Sequence, residues 1–155
     1  MPQLVKGGKF VFGWSVVGNN GKIKIPPKAF KDYSFKIGEK VVLISGSKTS
    51  GGFSIAKLTK LQNSPMNSIL QQIEGVFDNK IPNNRTIHYK NRYYCWTTIR
   101  EEDCIILPDE IMKTYGIAIP TKVLAVRGSG LGLSFISRGS IYQEALHHPE
   151  IKAFY

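Results

Sequence analysis

Eleven lysines and no arginine occupy residues 1–60, against Asp32 and Glu39 alone, a net of +9. An ammonium group is a compact point charge suited to phosphate oxygens, and it lacks the planar fork with which arginine reads a guanine edge. The spacing groups these lysines. In Lys22-Ile23-Lys24-Ile25, alternation sends both lysines to one face of a strand and both isoleucines to the other. Lys28 and Lys31, three apart, share a helix face. With Lys6, Lys9 and Lys36 they form a cluster able to neutralise several phosphates, the sequence-independent part of DNA affinity. The chemistry this pattern predicts is duplex binding with weak sequence preference.

Other residue groups point to other chemistry. Arg127 and Ser129 in "RGSG", and Ser47 in the earlier "SGS", stand among glycines whose backbone N–H groups are able to cradle a small anion, which makes a module binding a small anion or a protein partner through these loops the alternative to duplex binding. The competing reading pairs Arg127 with a carboxylate. A Gly-Ser bond is also where self-cleaving enzymes generate a pyruvoyl group, but turn chemistry accounts for glycine and serine at a strand end without catalysis. His147, His148 and Glu150 invite a metal, yet adjacent histidines leave a helix on different sides and share one ion poorly. Cys95 and Cys104 flank a tight turn at residues 100–103, where hairpin geometry sets Cys104 against Ile99, so both are expected as reduced thiols. No catalytic residue, metal or cofactor is expected.

The elements that position these groups come from a duplication. An offset of 82 aligns Trp14 with Trp96, Ile23 with Ile105, Pro26 with Pro108, Lys31 with Lys113, Tyr33 with Tyr115, Ile37 with Ile119, Lys40 with Lys122, Val41 with Val123, Gly46 with Gly128 and Ser47 with Ser129. These are ten identities over positions 14–47, without a gap. In each copy an aromatic and β-branched run ("KFVFGWSVV", "RYYCWTTI") meets a polar turn ("GNNG", "REED") and a second strand closed by proline. A helix of about two turns follows, with Pro27 or Asp109 at its start, then two further strands joined by glycines. A unit of roughly 45 residues buries too little apolar surface to stand alone, so the two units are expected to complete one core.

The stretch "GKIKIPPKAFKDYSFKIGEKVVLI" resembles the AbrB/SpoVT/MazE family of small β-proteins. Gly21, Lys22, Ile25 and Pro26 fit its Gly-basic-hydrophobic-x-Ile-Pro pattern, and Gly38-Glu39 stands at its Gly-Asp step. The second copy keeps Leu107-Pro108 but has Asp103-Cys104 and Pro120-Thr121 at the other positions. The resemblance implies swapped hairpins or a double-psi barrel, and a transcriptional regulator that binds DNA. Tandem fusion would place both dimer partners in one chain.

The expected architecture is therefore mainly β: one intertwined domain over residues 1–155, a pseudo-two-fold barrel with helices after each unit. Repeat 1 spans about 9–60, a helix and linker 61–90, repeat 2 about 91–139, and a C-terminal helix 140–155. Ser64 and Pro65 open the first of these helices, with Ile69, Leu70, Ile73, Val76 and Phe77 as its apolar stripe, and "NKIPNNRTIHYKN" reads as exposed linker. Residues 91–155 carry seven basic and seven acidic side chains, so nearly all of the total charge of +10 lies in repeat 1. Cys104 and Ile106, in the places of Lys22 and Lys24, suggest cover by a helix or by a second copy of the chain. No apolar run of about 20 residues is present, and a cytoplasmic, membrane-free location is expected.

Overall fold

A computed structural model describes residues 9–65, 67–72, 86–118, 121–128 and 132–155. Repeat 1 supplies β1 (Val11–Val17), β2 (Lys22–Lys24), α1 (Pro27–Asp32), β3 (Lys40–Ser45) and β4 (Phe53–Lys57). Two short helices, α2 (Leu58–Gln62) and α3 (Asn67–Gln72), and the strand β5 (Ile87–Tyr89) precede repeat 2. Repeat 2 repeats the order as β6 (Arg92–Thr98), β7 (Cys104–Ile106), α4 (Asp109–Thr114), β8 (Thr121–Arg127) and β9 (Gly132–Ile136). The chain closes with α5 (Ser140–Ala145) and β10 (Ala153–Phe154). The fold is mainly β, as the strand-forming composition requires.

The repeats exchange strands. One sheet runs β10-β1-β8-β9-β4-β3-β6-β5, and a separate ribbon pairs β2 with β7. Thus β1 of repeat 1 lies on β8 of repeat 2, β6 lies on β3, and β4 lies on β9, leaving only the β3–β4 and β8–β9 hairpins within a repeat. The registers obey the same offset as the sequence. Val42 faces Trp96 while Leu124 faces Trp14, and Lys40 faces Thr98 while Lys122 faces Val16. Ile23 faces its own counterpart Ile105 in the ribbon; past the loop that follows β3 and β8, which is two residues shorter in repeat 2, the offset becomes 80, and Ser54 faces its counterpart Ser134 in the sheet with the two hydroxyl oxygens 2.9 Å apart. A pseudo-two-fold axis therefore runs through both self-facing pairs.

Several sequence identities become legible as contacts across this axis. The Lys122 ammonium sits 4.1 Å above the Trp14 ring, and Lys40 sits 4.7 Å above Trp96, so the two tryptophan–lysine pairs are each completed by the opposite repeat. Tyr33 donates its hydroxyl to the Gly132 carbonyl at 2.9 Å, and Tyr115 donates to the Leu43 carbonyl at 2.8 Å. Both tyrosines end helices with the same Schellman geometry. The N–H of Phe35 donates to Phe30, as that of Ile117 donates to Met112. The left-handed residue this motif needs is Gly116 in one copy and Ser34, at φ +55°, in the other.

One continuous core lies between the sheet, the ribbon and helices α1 and α4. It includes Ile23, Ile25, Val41, Leu43, Phe53 and Ile55 from repeat 1 with Ile105, Leu107, Ile111, Val123, Leu133 and Phe135 from repeat 2, all essentially inaccessible. Each such side chain contributes about 1.5–3 kcal/mol on leaving water. Trp14 belongs to a smaller cluster under α5 with Val11, Leu124 and Ile151.

The structure corrects several expectations. The sheet does not close into a barrel: closure needs its first and last strands to pair, whereas β10 and β5 lie at opposite ends of the order and β2 and β7 pair with each other. The C-terminal helix stops at Ala145, because Pro149 cannot extend it, and the last residues run as β10 parallel to β1. Part of the presumed linker is β5, turned onto β6 by Lys90 and Asn91, both at positive φ. Ser64 donates its hydroxyl to the Leu61 carbonyl at the end of α2. Leu70 is buried as the stripe requires, while Ile73, Val76 and Phe77 lie outside the described residues. Cys104 bridges to Arg100, one residue from its expected neighbour Ile99.

Candidate nucleic-acid interface

The ribbon is where the glycine-basic motif acquires a physical reason. Gly21 adopts φ +82°, and a Cβ there would collide with the Leu107 carbonyl of the partner strand. Leu107 donates its N–H to the Gly21 carbonyl, and in the symmetric contact Ile25 donates to Asp103. Asp103 thus occupies the position of Gly21 with φ +57°, a backbone that aspartate tolerates better than most residues. As alternation requires, Ile23 and Ile25 are fully buried, while Lys22 and Lys24 stand part-exposed on the opposite face.

That face is more nearly neutral than the sequence suggested. Its register sets Lys22 beside Ile106 and Lys24 beside Cys104. The Lys22 ammonium donates to Glu102 at 2.8 Å, which raises the lysine pKa and holds the Glu102 carboxyl below its ordinary range. Glu101 and Asp103 flank that carboxylate in the same turn. Cys104 is buried within its own chain, so it needs no second subunit to cover it, and desolvation raises its thiol pKa. Ile106 is part-exposed in a groove of about 620 Å³ that also holds Ile37, Arg100 and Thr98.

On α1, Lys28 approaches Asp32 at 3.5 Å and lies over the Phe10 ring, whereas Lys31 is exposed. Lys9 and Lys36 are exposed on the segments flanking β1 and α1, and Gly38, two residues beyond Lys36, donates to Ile99 at the root of the ribbon turn. Among the described residues, no carboxylate pairs with Lys9, Lys24, Lys31 or Lys36. These four remain available to an external anion. Lys22 and Lys28 are partly engaged.

Of the residues expected to hold a small anion, Arg127 and Ser47 do not meet. Arg127 donates to Asp32 at 2.9 Å and its guanidinium is wrapped by Phe10, Phe12 and Tyr33, with ring centroids 5.3–5.7 Å away. It is a structural cation joining β8 to α1. Ser47 accepts the Ser50 N–H with its hydroxyl, in the β3–β4 loop. That loop lies at the opposite end of the sheet from the β8–β9 loop, since Phe53 pairs with Phe135 and Ala56 with Gly132. Ser129 lies outside the described residues. The shared glycines of these loops serve close packing, because a Cβ on Gly46 would collide with the Gly51 carbonyl, and one on Gly128 with Gly132.

His148 bonds Glu150 at 2.7 Å and Glu144 at 3.2 Å, and both carboxylates raise its pKa, Glu150 first. No group of three or more metal-ligating side chains forms among the described residues. Nor is any described helix long and apolar enough to cross a membrane.

The cations that sequence reasoning passed over are Lys48, Arg92 and Arg138. Their signal was present as a lack of acid: residues 40–73, 79–100 and 111–143 contain no aspartate or glutamate. No family model matches the chain, and no curated protein matches its sequence.

Proposed function

We propose that this protein is a non-catalytic DNA-binding regulator of the AbrB-like kind, contacting duplex phosphates through the lysine-bearing surface of repeat 1. One observation carries the reading: the +9 excess of that repeat rests on lysines of which Lys9, Lys24, Lys31 and Lys36 have no described carboxylate partner. Surplus charge of one sign attracts a polyanion. The exchange of strands between repeats supports the resemblance, because two subunits joined by swapped hairpins would pair in the same crossed manner. With no arginine in that repeat, base readout is weak and affinity is nearly independent of sequence.

A salt titration on a labelled duplex tests this. Four lysines neutralising four phosphates give a slope of log affinity against log salt of roughly −3 to −4. Reversing Lys24, Lys31 and Lys36 together to glutamate should abolish binding. A triple variant that binds as the natural chain does would eliminate this surface as the contact.

A further inference from the structure

The acid-free stretches converge on a different part of the molecule. The β3–β4 loop, the start of β6, the end of α4 and the segment after β9 enclose a cleft of about 230 Å³ lined by Lys48, Asn91, Tyr93, Thr114 and Arg138 among others. Among the described residues, no carboxylate lines it. The nearest acid on α4 is Glu110, whose backbone carbonyl accepts the Thr114 hydroxyl one turn away.

The cleft is held in shape by its own cations. Arg138 donates its Nε to the Lys48 carbonyl at 2.9 Å, and the backbone N–H groups of Ser137 and Arg138 both donate to the Ser50 carbonyl. Arg92 donates to the Ser45 carbonyl at 2.8 Å, and the Tyr93 N–H donates to the Ser45 hydroxyl at 2.9 Å. The loop is thereby clamped to both neighbouring segments. The two terminal nitrogens of Arg138 and the exposed Lys48 ammonium have no described carboxylate partner. Beside them stands an aromatic surface: Tyr93 is 37% exposed and its ring stacks on exposed His88, with centroids 4.6 Å apart and planes inclined by 23°.

Two cations and a flat aromatic ring, with no acid among the described lining residues, suit a ligand that is both anionic and planar. We propose that this cleft binds a single nucleotide unit, its base against Tyr93 and its phosphate between Lys48 and Arg138. Aromatic stacking is tolerant of base identity, whereas the fork of a tethered guanidinium suits phosphate oxygens. A cleft of about 230 Å³ is on the scale of a single nucleotide unit. The residues are distinct from the lysine surface of repeat 1, so this site stands or falls separately from duplex binding.

Calorimetric titration of the full chain with nucleoside monophosphates, inorganic phosphate and a short oligothymidylate tests the proposal. The monophosphates should bind about tenfold more tightly than inorganic phosphate, the difference being the stack. Tyr93→Leu should erase that difference, and Lys48→Ala should weaken both ligands about tenfold. Oligothymidylate binding above the monophosphate level assigns the site to an unpaired strand, and equal affinity assigns it to a free nucleotide. The Lys24, Lys31 and Lys36 charge reversal should leave these affinities unchanged even where it removes duplex binding. Nucleotide binding no tighter than phosphate, or binding indifferent to both Tyr93→Leu and Lys48→Ala, would overturn the assignment. Both substituted side chains are exposed, so neither variant threatens the fold.

Discussion

Replacing Ile23 by alanine tests whether the repeats fold as one body. Ile23 and Ile105 are fully buried, face each other in the ribbon, and mark the pseudo-two-fold axis. Truncating a buried isoleucine to alanine costs about 2–5 kcal/mol, more where the surroundings cannot collapse into the void. Here the backbone on either side is fixed by the cross-repeat hydrogen bonds from Leu107 to Gly21 and from Ile25 to Asp103, which places the cost near the upper part, about 4 kcal/mol. With a urea dependence of about 2 kcal/mol per molar, the midpoint should fall by about 2 M. The two tryptophans provide one reporter in each repeat, Trp14 and Trp96. In Trp14→Phe and Trp96→Phe backgrounds, each compared with its own parent, Ile23→Ala should lower both fluorescence midpoints equally. Ile105→Ala should match it within about 1 kcal/mol, as symmetry-related truncations in one core should. A Trp96 transition left in place while that of Trp14 shifts would refute mutual completion, as would cooperative melting of residues 1–60 alone.

Two further outcomes follow from local chemistry. Cys95 is buried against Tyr115, 3.4 Å from its hydroxyl, and burial pushes its thiol up to about 11, so neither it nor the buried Cys104 should react with Ellman's reagent at pH 8 until the chain is unfolded, when two thiols should appear. His148 should titrate above the ordinary value of 6.5 by NMR, with Glu150→Gln lowering it more than Glu144→Gln. Because its folded pKa is the higher one, the stability it contributes is fully present below 6.5 and is lost as pH rises through the raised value.

The duplicated units were legible because each half repeats the same conflict: alternating apolar residues on strands too few to bury them. Lys22-Ile23-Lys24-Ile25 gave the inward and outward faces directly, since a strand has only two. The open sheet was not legible in the same way. Whether β2 continues into the main sheet or leaves it depends on which strand it pairs with, and that partner is 82 residues away in β7. The two-residue β10 carries no periodicity long enough to distinguish it from the end of a helix. Arg127 illustrates the limit at the level of a site. Its glycine neighbours suggested an anion cradle, but Asp32, 95 residues earlier, lies 2.9 Å from its guanidinium. Sequence proximity identified the cation and tertiary proximity supplied its counter-ion.

The ribbon also explains why two unequal copies serve better here than two equal ones. In its antiparallel register, position 22 of repeat 1 faces Ile106, the counterpart of position 24, and position 24 faces Cys104, the counterpart of position 22. Were both strands to carry the lysines of repeat 1, each lysine would face another lysine across the ribbon, and like charges directly opposite are destabilising. A symmetric dimer can relieve that repulsion only by giving up one of the two lysines on both strands, since position 22 faces position 24 and any change appears twice. The fused chain gives up neither: apolar Ile106 and Cys104 stand opposite the lysines, and Glu102, the counterpart of Asn20, takes the Lys22 ammonium. Repeat 1 thereby keeps its lysines while repeat 2 becomes the neutral strand that lets them lie side by side.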